Sequence, residues 1–315
     1  MKIGDMIAPR KAFGEALVEL GNINTDVLVL DADVGTSTQS SIFRDAFPDR
    51  FYQVGIAEQN MVGIAAGLAA MGFIPFVSTF AVFAARRAAD QVAISVAYPN
   101  LNVKINGSYG GVPTGKAGAT HQAFEDIAIM RAIPNMKVFV PADAVETRAV
   151  VFAAAEIEGP VYIRTVRCEV PVIFDEGHKF EAGRSVQLSE GRDVAIISTG
   201  MMTYKALDAV RVLKEKEEGI SIRLIHMPSI KPIDEDAIAA AGREIGKIVT
   251  VENHSIIGGL GGAVAEVLAE RSPARVKRIG FRDHFGESGD DEKVFSKYGV
   301  NTEHIIAAAR EMAAL

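Results

Sequence analysis

GIAEQNMVGIAAGLAAMGFIPFV (residues 55–77) is the stretch that decides the fold. It lies mostly within a run from Asn60 to Ala85 that carries no charged side chain and is long enough to cross a bilayer. Gly72 and Pro75 divide that run into a helix-like half, Met61 to Met71, and a strand-like half, Phe73 to Val77. A helix followed at once by a buried parallel strand is how an α/β core reads, so the membrane reading is rejected. A single carboxylate, Glu58, stands at the mouth of the apolar helix.

Working outward, the same alternation recurs on both sides. A helical pattern starts at Pro9, with Ala12, Phe13, Ala16, Leu17 and Leu20 at helical spacing, and proline is tolerated in a first turn. Short apolar runs follow at Asp26 to Leu30, Ile74 to Val77, Asn102 to Ile105, Lys137 to Val140 and Val161 to Ile163. Helix-length stretches such as Ala81 to Ala97 and Ala144 to Glu156 separate them. Strand and helix in alternation predict a doubly wound parallel sheet. The pattern lapses between Pro171 and Arg192 and then resumes with a second α/β series from Val194 to Gly280. The expected organisation is therefore two doubly wound α/β domains, 1–172 and a smaller 191–315, joined by a linker at 173–190.

Composition narrows the function classes. At 315 residues with 49% apolar and 23% charged side chains, the chain can bury two cores. Its net charge of −7 and lack of a basic run leave no electrostatic footprint for nucleic acid. A phosphate-bearing substrate would need locally placed arginines. The one cysteine, Cys168, excludes an intrachain disulfide and fits a reducing, cytoplasmic setting. Residues 1–10 lack the apolar core of a secretory signal.

A carboxylate at the entrance of a greasy helix is poorly solvated, which favours its protonated form and suits proton exchange near neutrality. The residues alone favour the plainer reading of a glutamate that complements the helix dipole. Phe80 and Phe83 could be core, Arg10 and Arg164 could be surface ion pairs, and His121 sits in a glycine-rich loop (110–118) where a histidine is a catalytic candidate. The closely spaced glycines of VENHSIIGGLGG (251–262) fit no G-x-G-x-x-G register, so a dinucleotide loop is not supported.

Taken together, the motifs are more specific. The string around Glu58 resembles the segment carrying the invariant glutamate of transketolases, deoxyxylulose-phosphate synthases and the beta subunits of 2-oxo-acid dehydrogenases. PRKAFGEAL (9–17), DADVGTS (31–37), TFAVF (79–83), GATHQ (118–122), RAIPNM (131–136) with PAD (141–143), and YIR (162–164) resemble transketolase segments in the same order over essentially the whole chain. The resemblance implies a pyrimidine-binding domain followed by a transketolase C-terminal domain, with thiamine diphosphate as cofactor. It implies that Glu58 hydrogen-bonds the pyrimidine ring and favours its reactive tautomer, that Phe80 and Phe83 stack on that ring, and that Asp33 and Ile56 border the cofactor. It further implies that Arg10 and Arg164 clamp a sugar phosphate, that His121 serves proton transfer or oxyanion stabilisation, and that Ser37 and Asn106 face the substrate.

Departures from the family pattern bear on substrate choice and on assembly. Asn106 stands where transketolases carry a further histidine, and Ala117 and Ala119 replace an aspartate and a proline beside the histidine loop. The family's metal-binding Gly-Asp-Gly motif occurs nowhere in this chain. The expectation is a 2+2 heterotetramer in which an N-terminal subunit supplies Gly-Asp-Gly and the divalent metal, Mg or Ca, with no metal ligands in this chain. A dehydrogenase beta subunit and a catalytically idle partner subunit are the competing readings. Arg10, His121 and Arg164 favour the sugar-phosphate enzyme over the first, and the intact Glu58 with both phenylalanines over the second.

Overall fold

Pro9 occupies the first turn of the opening helix behind the extended Ala8, where its missing N–H forgoes no hydrogen bond. The computed structural model describes residues 1–215 and 219–315. Its first half runs β1 (Met6–Ile7), α1 (Pro9–Ile23), β2 (Val27–Asp31), α2 (Gly35–Thr38), α3 (Ser41–Ala46), β3 (Phe51–Gln53), α4 (Glu58–Ala70), β4 (Ile74–Phe80) and β5 (Lys104–Ser108). It continues with α5 (Asp126–Ala132), β6 (Lys137–Phe139), α6 (Ala144–Glu156), β7 (Val161–Arg164) and β8 (Val170–Pro171). The second half runs β9 (Val186–Ser189), β10 (Val194–Ser198), α7 (Met202–Glu215), β11 (Ile222–His226), β12 (Ser229–Lys231), α8 (Glu235–Glu244), β13 (Lys247–Ser255), α9 (Leu260–Arg271), β14 (Arg275–Phe281), α10 (Asp291–Lys297) and α11 (Thr302–Ala313).

The first sheet has strand order β12-β6-β7-β5-β4-β2-β3, parallel except for β12 at one edge. Helices cover both faces. Phe13, Leu17 and Leu20 of α1 meet Val150 and Val151 of α6 on one side, while Met61, Val62 and Ala65 of α4 pack with Leu30 and Val77 on the other. The second sheet, β14-β13-β10-β11-β9, is parallel with β9 antiparallel at its edge. Both are α/β sheets with helical crossovers, as the alternating sequence pattern requires.

Three features depart from the sequence reading. The segment 173–190 is not all linker, because β9 pairs with β11; its short, half-polar VQLS run gives only a weak strand signal. β12 of the second half crosses over to extend the first sheet, Ser229 pairing with Phe139. The helix expected over 81–97 is two wide π turns, Phe83–Arg87 and Gln91–Ala97, a form of turn enriched at functional sites. Among the described residues no helix is long and apolar enough to cross a membrane.

Polar contacts lock the halves together. Asn253 accepts from Val112 N at 3.0 Å and donates to the Gly110 carbonyl at 3.1 Å. The approach needs glycine at 111, where φ is +75° and a Cβ would fall 2.2 Å from Asn253 Oδ1. On the far side, fully buried Glu146 lies 2.7 Å from His226 Nε2 and 3.1 Å from His178 Nε2, and it accepts from Ala142 N at 2.7 Å. Burial alone would raise this carboxyl, but the charge of His226 and the three hydrogen bonds outweigh it and pull it from 4.5 down to about 2.

A folded-state value below the unfolded one means the unfolded chain binds the proton more readily. The stabilisation is therefore whole above about pH 4.5 and lost as pH falls toward about 2. Denaturant unfolding between pH 6 and 3 should show a loss of roughly 2 kcal/mol at its acid end. Glu146→Gln should remove that share of the slope and leave the share of Asp126, whose carboxyl is also held down; an unchanged slope would assign it all to other carboxylates.

Candidate active site

In an open α/β sheet a ligand usually binds beyond the carboxyl ends of the strands. β2 ends at Asp31, whose buried carboxylate accepts from Val34 N at 2.7 Å, Ser40 Oγ at 2.8 Å and Thr38 Oγ1 at 3.2 Å. Burial raises this acid while those bonds partly offset it, and the arrangement fixes the 31–40 loop. Asp33 is exposed in a left-handed conformation, φ +62°, with its N–H given to Gln53 Oε1 at 2.8 Å. Ile56, 74% exposed, sits on the loop that leads into α4.

Glu58 is the first residue of α4 and only 1% exposed. Its carboxylate does not stand alone: Arg87 Nη1 lies 2.8 Å from Oε1 and 2.9 Å from Oε2. The same guanidinium lies 4.2 Å from the centre of the Phe83 ring. Phe83 and Arg87 open and close one π turn, and at four residues apart their side chains share a face of the helical segment. Phe83 stacks with Phe80 at 5.8 Å, Phe80 with Tyr109 at 4.3 Å, and the edge of His121 meets both phenylalanines, at 5.9 and 5.4 Å. Tyr109 holds φ +62°, a strained conformation for a bulky residue that tends to mark a functional position.

The cluster continues to a cationic end. Arg10 donates to the Ser37 carbonyl at 2.6 Å, to Tyr109 Oη at 3.3 Å and to the Arg167 carbonyl at 3.1 Å. The exposed Arg167 guanidinium lies 5.9 Å from the Tyr109 ring centre. His121 is half-buried, with Nδ1 2.9 Å from Thr120 Oγ1. One continuous surface therefore joins a buried carboxylate, an aromatic wall, a histidine and three arginines. Among the described residues, no group of three or more His, Cys, Asp or Glu side chains is placed to hold a metal ion.

Two expected residues do not join it. Arg164 is 3% exposed, with Nε on Asp126 at 2.7 Å and Nη2 on the carbonyls of Ala123 and Asn253 at 3.1 and 3.0 Å. It fastens the two halves together, and the reading of it as a phosphate ligand is corrected. Asn106 is fully buried within β5, donating to Ser78 Oγ at 2.8 Å and accepting from Thr165 Oγ1 at 3.1 Å, so it cannot face a substrate. Arg87, Tyr109 and Arg167 were missed. Arg167 had a positional signal, since it lies just beyond the carboxyl end of β7, where Arg164 is still inside the strand.

Comparison with known proteins gives the family. Residues 5–172 match the transketolase pyrimidine binding domain and residues 183–305 the transketolase C-terminal domain. A protein of Methanocaldococcus jannaschii named as a transketolase C-terminal section is 48% identical over 94% of this chain and 93% of its own length. One of the subunits of an apulose-4-phosphate transketolase, from Phocaeicola vulgatus, is 40% identical over 98% of each chain. A solved structure titled a split gene transketolase, inactive beta4 tetramer, is 52% identical and superposes with a TM-score of 0.91, covering 98% of this chain and 99% of that one.

Proposed function

This chain belongs to the transketolase family, and from that premise we propose that it is the C-terminal subunit of a split transketolase that transfers a two-carbon ketol unit between sugar phosphates. The observation that carries the reading is Glu58, a carboxylate 1% exposed that meets the aromatic wall through Arg87. Thiamine diphosphate, the cofactor the family uses, fits this setting: a planar nitrogen-rich group already rests between Glu58 and the Phe83 face, as an aminopyrimidine would. When bound, thiamine diphosphate supplies the nucleophilic carbon and stabilises the negative charge left on the transferred fragment.

The chain's own residues orient and protonate. Glu58 would hold the pyrimidine ring nitrogen, Phe80 and Phe83 would flank the ring, and Asp33 and Ile56 would border it. His121, edge-on to both phenylalanines, would move a proton at the substrate oxygen. Arg10 and Arg167, with Ser37 beside them, form the cationic end suited to the sugar phosphate.

An N-terminal partner carrying Gly-Asp-Gly would hold the diphosphate and its divalent metal in a 2+2 heterotetramer. Support comes from the absence of that motif and from the similar chain titled an inactive beta4 tetramer. The exposed side of α4 carries Gly63, Ile64 and Gly67 and no charge, which suits contact with a second copy. A cytoplasmic place in pentose phosphate metabolism belongs to the same proposal; burial, with Asp291 nearby, pushes the Cys168 thiol up to about 12, so it carries no thiolate chemistry.

The test is to mix the purified chain with the product of a neighbouring reading frame, thiamine diphosphate and magnesium. Ketose phosphate with an aldose acceptor, and pyruvate in parallel, serve as substrates. Ketol transfer by the mixture alone is expected; turnover by the single chain, or of pyruvate, would reject the reading. Within that system, Arg167→Gln should raise KM for the ketose phosphate roughly 10- to 100-fold with little change in kcat. The unphosphorylated ketose should be unaffected.

A further inference from the structure

We propose that Arg87 is a placeholder for the aminopyrimidine ring: in the chain by itself its guanidinium holds Glu58 and lies against Phe83, and a ligand must displace it to enter. The inference rests on the functional reading above. Its ground is the coincidence of two contacts on one group. Arg87 Nη1 reaches both carboxylate oxygens of Glu58, at 2.8 and 2.9 Å, while the guanidinium carbon stands 4.2 Å from the Phe83 ring centre.

A guanidinium is a flat, delocalised cation whose N–H groups match a carboxylate and whose face stacks on an aromatic ring. An aminopyrimidine that shares a proton with a carboxylate presents the same two recognition elements. Glu58 is buried, and a buried carboxylate without a partner is costly, so something must neutralise it whenever the ring is elsewhere. Arg87 can do this and leave. Its side chain is 44% exposed against 1% for Glu58, so solvent is ready to receive it, and the π turn that carries it ends at Ala88, beyond which the chain turns again. The neighbouring Arg86 is held off by Glu125 and does not compete for Glu58.

Displacing an internal competitor lowers apparent affinity by the fraction of molecules already open. Calorimetric titration of thiamine into the full chain therefore gives a direct test. Arg87→Met, which keeps the apolar stem and removes the fork, is expected to bind thiamine roughly five- to tenfold more tightly than the unmodified chain. Guanidinium ion should compete with thiamine in that variant. Arg87→Lys, which keeps the charge without the planar fork, should fall between the two. A merely structural arginine would give the opposite sign, since its loss would loosen the site and weaken binding. Affinity in Arg87→Met equal to or below that of the unmodified chain, measured on protein with an unchanged circular dichroism spectrum, overturns the proposal.

Should Arg87→Met not fold, Arg87→Lys and the arginine side-chain 15N spectrum of the unmodified chain decide. The Arg87 resonance should shift on Glu58→Gln substitution and again on adding thiamine; its indifference to thiamine refutes displacement. Failure of the functional reading would register differently, as a reconstituted enzyme in which Glu58→Gln remains fully active.

Discussion

Reconstituted Glu58→Gln enzyme is expected to fold normally and to lose roughly a thousandfold of its turnover. Glutamine matches glutamate in shape, so α4 keeps its first turn and the apolar packing around Met61 and Val62 is unchanged. What disappears is the negative charge. A carboxylate 1% exposed has little water to share its charge, so its attraction for a cationic or proton-bearing nitrogen is stronger than on a surface. A neutral amide would still offer an oxygen to a ring nitrogen but would not stabilise a proton there. Steady-state assays of the variant with its partner, beside circular dichroism of the chain alone, separate lost chemistry from lost structure. Retention of more than a tenth of the turnover would remove Glu58 from the mechanism.

Arg164→Met should cost stability: about 3–5 kcal/mol in denaturant unfolding. The arginine is enclosed, and it satisfies Asp126, itself fully buried and bonded to Tyr162 Oη at 2.8 Å. Burial alone would raise the Asp126 carboxyl, but the charges of Arg164 and His254 hold it below the ordinary range. Methionine fills much of the volume and leaves that carboxylate facing an uncharged neighbour. The carbonyls of Ala123 and Asn253 lose their donor as well. KM for a ketose phosphate, measured on the folded protein, should hardly move. A large rise in KM with stability intact would return Arg164 to the phosphate site.

The contrast between Arg164 and Arg167 marks how far the amino-acid sequence could be read. Strand and helix were legible because apolar period and turn residues are local properties, and α4 and β4 lie close to where Gly72 and Pro75 put them. Glu58, Phe80, Phe83, His121 and Arg10 were legible as one group through ordered motifs, and they stand along one surface. Whether an arginine points inward or outward is not local. It depends on Asp126 and Asn253, remote in sequence, and on Gly110, whose missing side chain makes room for the Arg164 guanidinium. Arg87 was hidden for another reason, since helical spacing sets it near Phe83 but nothing local joins it to Glu58, 29 residues away in sequence. The π turn that carries both has no compositional signature in that alanine-rich run.

β12 turns an apparently modular chain into an indivisible one. The strip Ser229–Lys231 donates its edge to β6, and Val140 N reaches the Pro228 carbonyl at 2.7 Å, so the first sheet is finished only by residues that follow β11. A chimera cut at residue 190 would strip that sheet of its outer strand and bare β6 to any passing partner. Swapping substrate preference between relatives by exchanging the front portion must therefore carry the 228–231 strip along, or redesign the rim it covers.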